Sequence, residues 1–138
     1  MGYIVLVAGL VQAAVGVALL LSWARHARGR DAGLIVTHVV AMLGFFVPWA
    51  LFIATGEPLW AWAGFAVLVL FIGFGDTEVV RRTSRDRGVT KPRLRDYWRS
   101  MIAVCAGRYG HALQFHTLFS AAVFFPALGV AIAATAGV

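Results

Sequence analysis

Residues 81–95 read RRTSRDRGVTKPRLR, the most highly charged stretch of the chain. With the shorter run SWARHARGRD at 22–31, and with Arg99 and Arg108, it holds every Lys and Arg present. The segments outside these runs are apolar and close to the roughly 20 residues that cross a bilayer. Lys and Arg are retained on the cytoplasmic side of a membrane, so both basic runs belong inside. The remaining gap, TGEP at 55–58, carries only Glu57 and belongs outside. Helices are therefore expected at about 3–23, 34–54, 59–75 and 112–136. The N- and C-termini both face away from the cytoplasm, and residues 76–111 form a basic cytoplasmic region.

Composition agrees. The 138 residues are 61% apolar with a mean hydropathy of +0.83, well above the roughly 45–50% of soluble domains. In a soluble chain a net charge of +6 would suggest nucleic acid. Here the positive charge is confined to one side, so the expected partner is the anionic headgroup layer and not a nucleic acid. The lone Cys105 cannot form an internal disulfide. No basic stretch precedes the first apolar segment, which reads as a retained helix and not a cleaved leader. Arg outnumbers Lys eleven to one, a bias that points to a bacterial plasma membrane.

Within the basic region, Leu94, Tyr97, Trp98, Met101, Ile102 and Cys105 recur at the spacing of one helical face, while Arg95 and Arg99 lie off it. That pattern predicts an amphipathic helix on the inner membrane surface. Thr77–Pro92 reads as solvated and mobile, and Gly107 and Gly110 as the bend into the last helix. Pro48 predicts a kink near Phe45–Pro48. The fold class is all-α: a polytopic membrane protein, a single four-helix domain over residues 1–138, with an interfacial helix between helices three and four.

Gly9, Ala13 and Gly16 form a small-residue face on the first helix, where backbones can approach closely in lipid. Gln12 beside it needs a hydrogen-bond partner. His38 and His116 lie at equal depth on two helices that run the same way, each four residues into its apolar segment. Ionisable residues inside a membrane mark functional sites. Two facing imidazoles could ligate a haem b or hold a quinone, with Met42, Phe45 and Trp49 as an apolar wall and Ser120 and Ala127 leaving room. The opposing expectation is that each His bonds a carbonyl or hydroxyl, with Thr37, Thr117 and Ser120 at hand. Asp76 and Glu78 are expected to pair with Arg81 and Arg82.

No catalytic motif is found: no phosphate-cradling loop with Lys, no GxSxG, no HExxH, and no pair of cysteines. The leading expectation is a small membrane subunit that stabilises or assembles a complex or a homo-oligomer. A redox subunit at His38 and His116 is the first alternative, and a small oligomeric channel or carrier the second. The charge segregation makes a direct prediction. Impermeant thiol reagents on intact cells should label single cysteines placed at Gly56 or Val138 and spare one at Gly88; the reverse pattern would overturn the topology.

Overall fold

The computed structural model describes residues 1–26 and 29–137; Arg28 and Val138 lie outside the described residues. Helix α1 spans Gly2–His26, α2 Ala32–Gly44, α3 Phe46–Thr55, α4 Pro58–Asp86, α5 Leu94–Cys105 and α6 His111–Ala136. Among the described residues, four stretches are long and apolar enough to cross a membrane: α1, α2 continued by α3, α4 and α6. Each turns back on its predecessor. Neighbours pack around a square, α1 on α2, α3 and α6, and α4 on α2, α3 and α6, so that α1 and α4 are diagonal and so are α2 and α6. Large apolar side chains such as Ile4, Val7, Val40, Leu70 and Phe125 point outward, and a surface of this kind suggests a membrane protein.

The kink falls where the sequence places it. Pro48 has no N–H for the carbonyl of Gly44, and the helix breaks at Phe45 between α2 and α3. Gly56, with φ 72°, closes α3, its N–H bonding Phe52 at 2.8 Å, and Pro58 opens α4. Two indoles fasten this end of the bundle. Trp49 Nε1 donates to Gly2 O at 3.0 Å, and Trp62 Nε1 to Thr135 Oγ1 at 2.8 Å. Trp49 is wholly buried and stacks on Phe45.

The basic end differs from expectation. Thr77–Asp86 is helix, a continuation of α4 well past the apolar segment, and only 87–93 is non-helical. Its inward positions Val79, Val80, Thr83 and Ser84 are buried, a helical spacing hidden in the sequence by the charges around it. Val79 and Val80 border cavities on two sides of α4, and Thr83 is covered by the polar side of α5. Asp96, Ser100 and Val104 are buried at successive turns, while Leu94, Trp98 and Ile102, on the opposite face, are exposed. The Thr83 hydroxyl lies 2.5 Å from Ser100 Oγ, which donates to Asp96 O at 2.6 Å. Asp96 accepts the Arg93 N–H at 2.9 Å, which holds its carboxyl below the usual range and starts the helix. Gln114 Nε2 bonds Cys105 O at 2.8 Å across the bend made by Gly107 and Gly110, both at positive φ.

Asp31 ties the first connection to α4. Its carboxylate takes Arg81 Nη1 at 3.2 Å and Arg85 Nη1 at 2.6 Å; of the expected partners, the Arg82 charge does act on Glu78, while Asp76 bonds the Tyr97 hydroxyl instead of Arg81. Partial burial raises the Asp31 pKa, but the two guanidiniums outweigh it and the net shift is downward. The clasp is therefore complete above the ordinary carboxylate range and lost as pH falls through the lowered value. Half-exposed pairs of this kind contribute less than about 1 kcal/mol each.

The seat of α5 can be tested by volume. Ser100→Leu overpacks a fully buried position, at about 1–3 kcal/mol, and should speed proteolysis of residues 87–99 in detergent. Trp98→Ser, at a position 60% exposed, should leave that rate unchanged. Equal effects would mean that α5 is held by its apolar face instead.

Candidate intramembrane site

His38 and His116 come from α2 and α6, diagonal helices whose backbones do not touch, yet their ring centroids are 6.5 Å apart at an interplanar angle of 76°. Each ring lies on a glycine of a third helix. A Cβ on Gly75 of α4 would stand 2.9 Å from His38 Cε1, and a Cβ on Gly16 of α1 would stand 3.3 Å from His116 Cε1. The two imidazoles reach the middle of the bundle because α1 and α4 have no side chains there.

Their hydrogen bonding is unequal. His38 Nδ1 lies 3.1 Å from Phe71 O; as donor to that carbonyl it leaves Nε2 with a lone pair. His116 Nδ1 is buried without a hydrogen-bond partner, as is Gln12 Oε1. Gln12 Nε2 donates to His116 O at 2.8 Å, so both unpaired atoms belong to one corner of the bundle. His38 thus bonds a carbonyl, as the opposing expectation has it, whereas none of the expected hydroxyls serves either ring, and Ser120 Oγ bonds Thr117 O instead. Buried polar atoms without partners are rare in native structures and call for an explanation.

A cavity of about 530 Å³ joins these groups, bounded by Gln12, His38, Met42, Phe45, His116 and Ser120. Its far end reaches Glu78, Arg82 and Arg85 at the basic end of the bundle. Of the expected apolar wall, Met42 and Phe45 line it, while Trp49 stands behind Phe45. Ala127 is buried in the core further along α6. Among the described residues, no three His, Cys, Asp or Glu side chains converge as a metal site.

The small-residue face of α1 is used within the chain. A Cβ on Gly9 would meet Phe46 at 3.2 Å, Gly16 receives His116, and Ala13 lines the cavity beside Gln12. The surface-helix residues are elsewhere. Tyr97 donates to Asp76 Oδ2 at 3.0 Å, Met101 is half-buried, and Leu94, Trp98, Ile102, Arg95 and Arg99 are exposed. That hydrogen bond has no signal in the sequence, because Asp76 and Tyr97 lie on different helices. No protein-family model, curated protein or solved structure matches the chain.

The ring-on-glycine contacts are specific enough to test. Gly75→Ala should drive His38 from its place and cost about 1–3 kcal/mol in a detergent unfolding assay. Gly73→Ala, where nothing lies within 4 Å of the added carbon, should be neutral or gain up to about 1 kcal/mol from helix propensity. Equal responses would show that His38 is not pressed on Gly75.

Proposed function

We propose that this chain is a small multi-pass subunit of a bacterial plasma membrane complex, and that it holds a b-type haem between His38 and His116. The observation that carries the reading is the meeting of these two rings, from diagonal helices, over two glycines and beside an open cavity. A porphyrin supplies four ligands of its own, so two imidazoles complete its iron, whereas a bare ion would need further protein ligands. The bond from His38 to Phe71 O is the kind of outer contact that fixes a ligating tautomer. Met42 and Phe45 suit an apolar macrocycle, and Arg82 at the far end suits its carboxylates. A haem bound there would supply one-electron transfer, with this chain binding and shielding it.

A quinone is the second reading, favoured by one observation. His116 Nδ1 and Gln12 Oε1 are two unpaired buried atoms in one corner, and the hydroxyls of a quinol could donate to both. In either case the basic ends and α5 face the cytoplasm, with Leu94, Trp98 and Ile102 in the interfacial layer and Arg95 and Arg99 among anionic headgroups. Other subunits, or further copies of the chain, would pack on the outer apolar faces. A channel or carrier finds no support from the outer halves of the helices, which carry no charged side chain.

An optical spectrum separates these readings. Protein purified in mild detergent from haem-replete cells should show a Soret band and a sharp α-band on reduction, and His38→Ala or His116→Ala should abolish both while the bundle stays folded. A colourless protein would rule out haem, and organic extraction would then decide whether a quinone had been carried with it. With neither present, the two histidines are packing residues, and His116→Ala, which removes the ring seated on Gly16, should lower the unfolding temperature through lost packing alone.

A further inference from the structure

A second cavity, of about 1060 Å³, opens at the basic end on a face of α4 that runs from Gly73 to Arg85 and is closed by the loop at 88–92. It meets the histidine cavity at Asp76 and Arg85, which border both, but neither histidine lines it. Three cations border it, Arg81, Arg85 and Lys91, against two carboxylates. Asp31 shares its charge between the two arginines through one nitrogen of each, and Asp76 is bonded by the Tyr97 hydroxyl. The guanidinium nitrogens that Asp31 does not engage, and the Lys91 ammonium, give the rim a positive balance.

The inner part of the cavity has a different character. Gly73 is exposed and, its own helix aside, has nothing within 4 Å of where a side chain would start, so the cavity opens as a slot along this face of α4 towards its apolar span. Gly73 to Arg85 is about 18 Å at 1.5 Å per residue, long enough for a headgroup and the first part of an acyl chain. We propose that this cavity is a binding site for one anionic membrane phospholipid, its phosphate on Arg81, Arg85 and Lys91 and its chain along Gly73 and Val80. Basic pockets at the cytoplasmic ends of membrane helices bind such headgroups. A soluble phosphate compound would have no use for the apolar slot. The proposal rests on the membrane placement but not on the haem.

Native mass spectrometry tests it, with protein released from mixed micelles of phosphatidylglycerol and phosphatidylcholine. The wild type should retain one phosphatidylglycerol per chain. Lys91→Gln, which leaves the Asp31 clasp intact, should lower that retention about fivefold. Gly73→Leu, which fills the slot and changes no charge, should lower it as well, with the unfolding temperature of both variants unchanged. Equal retention of phosphatidylcholine, or indifference to both substitutions, would overturn the site. Sensitivity to Lys91→Gln without sensitivity to Gly73→Leu, with inorganic phosphate competing for the site, would assign it to a soluble anion and also overturn the lipid. A visible haem band is unaffected in each case, so failure here is distinct from failure of the histidine site.

Discussion

A ring laid on a glycine is the contact on which this bundle depends. Phe46 rests on Gly9, His116 on Gly16, Trp49 on Gly64 and His38 on Gly75, each at a distance that an added methyl carbon would violate or strain. The diagonal helices α1 and α4 supply the glycines, and the other two supply the rings. In lipid there is little gain from burying apolar surface, so close packing of this kind carries association between helices. The aromatic pairs add dispersion along the same seam: Phe45 stacks on Trp49, and Phe65 meets Phe124 across to α6.

At one level of the bundle the rings are imidazoles. The same contact that packs Trp49 on Gly64 then brings two ionisable groups together in the interior. The site is therefore a local change of residue type within a packing scheme that runs the length of the molecule. Its openness has a physical origin too. His116 Nδ1 and Gln12 Oε1 lack partners and a cavity adjoins them, whereas the Trp49 and Trp62 ends are closed by hydrogen bonds.

The basic end obeys a different rule. There, polar groups are buried against polar groups: Thr83 of α4 donates to Ser100 of α5, and Arg87 reaches Ser84, Ser100 and Asp96. Satisfied hydroxyls make such a contact tolerable, and it turns the apolar stripe of α5 outward. Asp31, the one non-glycine residue at positive φ among the described residues, spans Arg81 and Arg85. Thus α4 is continuous from the tryptophan end to Asp86 and carries both cavities on its sides.

By itself the sequence determined the number of long apolar helices, the break at Phe45, the turn at Gly56 and Pro58, and the helix at 94–105. Each of these is local, following from hydropathy over about 20 residues, from the missing proline N–H, or from spacing along one helical face. The common depth of His38 and His116 was legible for the same reason. Only the tertiary structure decided that the two rings meet, that the Gly9, Ala13 and Gly16 face is spent inside the chain, and that α5 packs by its polar side. It also decided that α4 continues through Thr77–Asp86, which charge alone marked as loop. These depend on which faces of different helices oppose one another, and helical periodicity names a face without naming its neighbour.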